Sequence, residues 1–249
     1  MTVEFDAVNG PTNASPVWAR ESFVNAFWVA TGESPEWIAA RTDALLTQLG
    51  TDLGIAQWDI PKGHHWETWA GPSEALADIV RSCPVREALP DGASGDALPR
   101  EGYSIVLKGV GPAITAKVFI GAGSIGLGGR LPAHNLHIDL TETAPGGVSS
   151  EVGDKVCAAV ASTWQPATFT LTDLAAMRLA RRNNWKIGAG YRTWISKEVG
   201  EIDHLVDLLT KTELAGGTLI SAPDDWPATR VVEAVTATLR ENGLDEVPH

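Results

Sequence analysis

Ile114-Thr115-Ala116-Lys117-Val118-Phe119-Ile120-Gly121-Ala122-Gly123-Ser124-Ile125-Gly126 is the stretch on which the fold turns. Its first seven residues alternate: Ile114, Ala116, Val118 and Ile120 fall on one side, Thr115, Lys117 and Phe119 on the other. Period-two alternation places one face in a core and leaves the other wetter, as in an antiparallel sheet. The continuation spells Gly-x-Gly-x-x-Gly after a strand, and Asp139 stands 18 residues beyond Gly121. Those are the words of a dinucleotide fingerprint, whose physics requires the third glycine to lie in a helix aimed at a pyrophosphate. Leu127-Gly128-Gly129-Arg130-Leu131-Pro132 follows instead, and two glycines and a proline would break that helix. No crossover helix fits before the next alternating run, residues 135–140, and no βαβ unit precedes the motif. The glycines are expected to serve the turns of a long hairpin loop.

Working outward, residues 23–29 form a first strand and residues 103–108 another, while further strands are expected near 167–171, 191–196 and 218–221. Ser34-Pro35-Glu36 starts a helix: Ser34 caps, Pro35 suits the first helical position, and Glu36 favours its positive end. Trp37, Ile38, Arg41, Leu45 and Leu49 share a helical face, and Gly50 is the expected stop. Helices are also expected at 73–81, from Ser150-Glu151 to Trp164, and at 227–242. Residues 54–71 read as irregular, and 89–102, with its prolines and glycines, as a surface excursion. The predicted fold is α+β: a loose N-terminal arm over 1–22, then a single domain over 23–249. That domain is a mainly antiparallel sheet of about six strands with helices packed on it.

The 249 residues carry 44% hydrophobic and 20% charged side chains, the balance of an ordinary globule. The formal net charge is −12, which argues against a phosphate-backbone binder. Acid is concentrated in residues 198–249, where eleven carboxylates face three lysines or arginines. Cys83 and Cys157 lack Cys-x-x-Cys spacing and sit in apolar surroundings, so they read as reduced thiols of a cytoplasmic protein. The opening residues show neither a basic nor an apolar signal region, and no run approaches the ~20 apolar residues of a membrane span.

Candidate chemistry is sparse. His134, His137 and Asp139 could supply metal ligands, with Gly63-His64-His65 as a possible fourth donor; the competing reading is the polar outer face of a half-buried strand. There is no Gly-x-Ser-x-Gly elbow, and neither cysteine has a histidine nearby in sequence. Arg178, Arg181, Arg182, Lys186, Arg192 and Lys197 form a run without an intervening acid, beside Trp185, Tyr191 and Trp194. An RNA-binding reading would need that mixture, but cations ending a short helix explain it as well. Ten tryptophans are expected to be mainly core anchors, while Trp58, Trp66 and Trp69 form a cluster whose exposed part would suit an interaction surface.

The order of pieces resembles the immunity protein 52 family of bacterial polymorphic toxin systems over about residues 23–240. Those pieces are an early aromatic strand, the 34–50 helix with its tryptophan-bearing sequel, a middle sheet, and a helix into Trp164-Gln165-Pro166. Gly190-Tyr191-Arg192-Thr193-Trp194-Ile195-Ser196 and Gly217-Thr218-Leu219-Ile220 close the pattern. The Gly-rich 121–129 loop and the order of Tyr191 and Trp194 depart from it. The resemblance implies an α+β protein with no catalytic activity, which binds and neutralises a cognate toxin domain made by the same cell, typically a nuclease; with the residue readings above, no cofactor, metal, nucleic-acid or membrane partner is expected. Its expected contacts are Asp203, Asp207, Asp224 and Asp225, with Trp58, Trp66, Trp69 and Trp226 as anchors. The alternative is a small-molecule enzyme, or a metal- or nucleotide-binding protein, that uses residues 121–139.

Overall fold

A computed structural model describes residues 15–62, 65–69, 73–90, 92–182 and 184–249, the side chains of Ser73 and Glu74 excepted. In chain order the elements are β1 (Glu21–Phe27), α1 (Pro35–Leu53), β2 (Trp58–Lys62), β3 (His65–Trp69), α2 (Ser73–Ser82), β4 (Arg86–Ala88) and β5 (Ser94–Ala97). Then come β6 (Tyr103–Val110), β7 (Ile114–Ala122), β8 (Asn135–Glu142), α3 (Ser150–Trp164), β9 (Thr168–Thr172) and α4 (Leu174–Ala180). The chain closes with β10 (Arg192–Ser196), β11 (Thr210–Leu214), β12 (Gly217–Ser221) and α5 (Ala228–Glu241).

The class is α+β, as expected, but the main sheet has ten strands rather than about six. Their order is β11-β12-β10-β9-β1-β8-β7-β6-β2-β3, every neighbouring pair antiparallel; β4 and β5 make a separate small hairpin. The additional strands are at the edges. Residues 58–62 and 65–69, within the 54–71 stretch expected to be irregular, pair as β2 and β3. Every described residue of β3 is at least partly exposed, as is every residue of β11, so neither carries a buried apolar side for periodicity to reveal.

The central strands follow the alternation read from the sequence. Ile114, Ala116, Val118, Ile120 and Ala122 of β7 and Leu136, Ile138 and Leu140 of β8 are buried, as are Val24 and Ala26 of β1. The β7–β8 register pairs Gly121 with Asn135, so the glycine-rich stretch is a hairpin loop between antiparallel neighbours and no helix follows it. Gly128 shows why glycine recurs there: its φ is +100°, and a Cβ would lie 2.1 Å from the Leu131 carbonyl oxygen.

Helices α1, α2 and α3 pack together on the buried side. Ser34 caps α1 by accepting from the Trp37 N–H at 3.2 Å, with Pro35 first in the helix. The helix outruns Gly50 and stops at Gly54 in left-handed geometry (φ +67°), which adds Leu53 to the buried face. Trp164 joins this layer, with ring centroids 5.0 Å from Trp28 and 5.8 Å from Trp37. Residues 1–14 of the expected arm lie outside the described residues; of the rest, Trp18 is buried and the Val17 N–H donates to the Asp224 carbonyl.

Along β9, β10 and β12 both sheet faces are covered, and the buried cation Arg192, 3% exposed, is held there. Its guanidinium donates to Asp154 Oδ1 at 2.7 Å, Ser150 Oγ at 2.8 Å, Asp224 Oδ1 at 3.0 Å and the Ala222 carbonyl at 3.1 Å. Burial opposes the charge, yet the carboxylates of Asp154 and Asp224 outweigh it and raise the pKa of Arg192 further. Replacing it orphans two carboxylates and opens a gap. Arg192→Ala is therefore expected to cost about 3–5 kcal/mol of unfolding free energy, measured by urea denaturation.

Candidate protein-binding surface

The structure separates the residues expected to act together. Trp58 and Trp69 pair across β2 and β3 and point to the helix-covered side, where Trp58 is buried against Gly109 and Trp69 is half-buried. Trp66 alternates to the other face and is 37% exposed, with the ammonium groups of Lys117 and Lys108 5.8 and 6.0 Å from its ring. The three tryptophans are thus not one exposed cluster. The contrast is measurable: Trp58→Ala should cost about 3–5 kcal/mol, the usual loss for a buried aromatic, and Trp66→Ala under about 1 kcal/mol, compared by chemical denaturation.

The acidic residues divide as well. Asp224 balances Arg192 inside the fold. Asp207 is held by a two-pronged pair with Arg230, whose Nε and Nη2 donate at 3.0 and 3.1 Å. The Arg230 guanidinium in turn sits 3.9 Å from the ring centre of Trp226, which is only 4% exposed and so packs inward. Asp203 and Asp225 are exposed, and among the described residues neither carboxylate has an ion-pair partner. Glu198, Glu201, Glu241 and Glu246 are in the same condition. Asn242 binds the backbone N–H groups of Asp203 and His204, at 2.7 and 3.0 Å, and so fixes that loop beside the end of α5. Asp225 lies between β12 and the start of α5, whereas Asp203 is fixed beyond that helix's other end, so the two flank α5; the tryptophan hairpin forms the sheet edge opposite β11. Nine strand spacings of ~4.8 Å put the two edges roughly 40 Å apart.

Sequence reading did not anticipate the arrangement on the uncovered face of the sheet. The β1–β8 register sets Asn25 opposite His137. One ring nitrogen of His137 meets Asn25 Oδ1 at 2.5 Å and the other meets Asp139 Oδ1 at 2.6 Å. Phe23 stacks on the imidazole at 5.3 Å and Phe119 approaches edge-on at 5.6 Å. The shared face of His137 and Asp139 was readable from period two; Asn25, 112 residues away in the chain, was not.

His134 does not join them. It is fully buried, with Nε2 3.1 Å from Glu33 Oε2 and 3.2 Å from the Ser124 carbonyl. His64 lies outside the described residues, and among those described no group of three or more His, Cys, Asp or Glu is placed to hold a metal. Cys157 is buried among apolar groups, and this desolvation pushes its thiol well above the ordinary range, the reverse of an activated nucleophile. No helix among the described residues is long and apolar enough to cross a membrane.

Glu33 links three segments, accepting from the Trp28 indole at 2.7 Å and the Gly123 N–H at 3.0 Å as well as facing His134. Burial pushes its carboxyl up, but the hydrogen bonds of His134 and Trp28 outweigh that and hold its pKa at about 2, against 4.5 ordinarily. A depressed carboxylate stabilises the fold above its unfolded pKa, and that contribution is lost as pH falls through the folded value. Glu33→Gln should therefore be less stable than the native chain by about 1–3 kcal/mol at pH 7. The gap should narrow between pH 4.5 and about 2, followed by urea denaturation across that range.

No protein-family model matches the chain, and no curated protein matches its sequence. Among solved structures, the Pseudomonas aeruginosa T6SS protein PA0821 is similar to it with a TM-score of 0.48 and 7% sequence identity, over 89% of this chain and 76% of that one. The likeness is one of outline and carries no functional argument.

Proposed function

We propose that this chain is an immunity protein that binds a cognate toxin domain in the cytoplasm of the cell making both, and acts by covering the toxin's active face rather than by catalysis. The observation that carries the reading is that the exposed carboxylates of residues 198–246, Asp203 and Asp225 foremost, include several without an ion-pair partner among the described residues. A toxin that cleaves nucleic acid must offer cations to phosphates. A scaffold presenting fixed carboxylates matches that face, excludes the substrate and draws the toxin in by charge. The order and spacing of the chain's pieces, which resemble the immunity protein 52 family, support the same reading. Asp207 and Asp224 serve the fold through Arg230 and Arg192, so the contact role passes to Asp203, Asp225 and the unpaired glutamates around them.

The test is co-expression with the neighbouring reading frame, followed by stopped-flow association with any toxin domain so captured. The association rate should fall about tenfold or more between low and physiological salt, and the double variant Asp203→Asn/Asp225→Asn should slow it several-fold with little change in dissociation. A chain that captures no co-expressed toxin domain, or whose capture rate ignores both salt and these substitutions, would sink the proposal.

A further inference from the structure

Four cations of the basic run noted in the sequence, Arg178, Arg181, Arg182 and Lys186, line a cavity that the toxin reading does not use. It has a volume of about 500 Å³ and lies between α4, with the segment after it, and the face of the sheet formed by β1 and β9. That volume is within the range of small-molecule sites. We propose that this cavity binds a small phosphorylated molecule, its phosphate held by Arg178 and Arg181.

Charge is the first argument. Arg178, Arg181, Arg182 and Lys186 line the cavity, and no aspartate or glutamate does, in a chain whose net charge is −12. Arg182 and Lys186 share one carboxylate, Asp245, at 2.8 and 2.5 Å. Arg178 and Arg181 have no carboxylate partner among the described residues. Two guanidinium forks without counter-charge beside a cleft match the oxygens of a phosphate.

The floor supplies neutral donors. Asn25 gives its amide oxygen to His137, so its NH₂ remains to donate, and the Thr170 hydroxyl has no partner among the described residues. Phe27 and Met177 provide an apolar wall for the remainder of the ligand. Arg181 (φ 47°) ends α4 as its left-handed cap, and it and Asn184 (φ 63°) both line the cavity. A solvent-open cleft of this size without a row of exposed aromatic rings fits one small molecule rather than a strand of nucleic acid, which requires stacking platforms along a groove.

Titration calorimetry on the full chain tests this with AMP, glucose 6-phosphate, adenosine and a twelve-residue oligothymidylate. At least one of the two phosphate esters should bind saturably with one-to-one stoichiometry, while adenosine gives no binding. Arg178→Gln and Arg181→Asn, the latter chosen because asparagine tolerates the left-handed cap, should each weaken the ester about tenfold or more. Arg86→Gln, on the separate β4–β5 hairpin, should change nothing. The proposal is overturned by the absence of saturable ester binding below about 5 mM, by ester binding that both arginine variants leave intact, or by an oligothymidylate that binds more tightly than either ester.

Discussion

The fold is organised around a cation that cannot reach water. Arg192 binds α3 through Asp154 and Ser150, and the segment before α5 through Asp224 and the Ala222 carbonyl, all from one β10 side chain. A buried guanidinium is tolerable only when its donors are satisfied together, so these elements must arrive in one arrangement or leave an unpaired charge behind. Glu33 plays the complementary part near the start of α1, where a buried anion gathers the ends of β1 and β7 and the approach to β8. Between these two nodes the sheet is held by ordinary apolar packing.

Much of this was legible in the sequence, and the reason is burial on one side only. Strands β7 and β8 announce themselves because one face meets helices and the other does not, and Ser34-Pro35-Glu36 marks a helix start for stereochemical reasons independent of tertiary context. The edge strands β3 and β11 display little apolar patterning, and β2, beside β3, buries only Trp58, so none of the three stands out in the sequence. Gly50 was mistaken for a stop because glycine permits a helix end without requiring one; Leu53, a turn further on, still had a core to fill.

The candidate surfaces were less legible than the fold, because charge and aromaticity gain meaning only from neighbours. Asp207 and Asp225 look alike in sequence, yet Arg230 neutralises the first and nothing described neutralises the second. Trp58 and Trp66 are eight positions apart, yet the β2–β3 register, which sets Trp58 opposite Trp69 and Trp66 opposite Pro61, brings them out on opposite faces of the sheet. The histidine cluster on the open face depends on register between segments more than a hundred residues apart.

The sheet also ends in two free edges, β3 and β11, each with a row of backbone donors and acceptors that no described strand occupies. Such rows template growth by further chains unless side chains forbid it. Here β11 carries Lys211 and Glu213 and β3 carries Glu67, all exposed and alternating with threonine or tryptophan. Charges so placed must be stripped of water before another strand can dock. The same polar edges that hid these strands from sequence patterning therefore protect a broad open sheet from polymerising along its hydrogen-bonding direction.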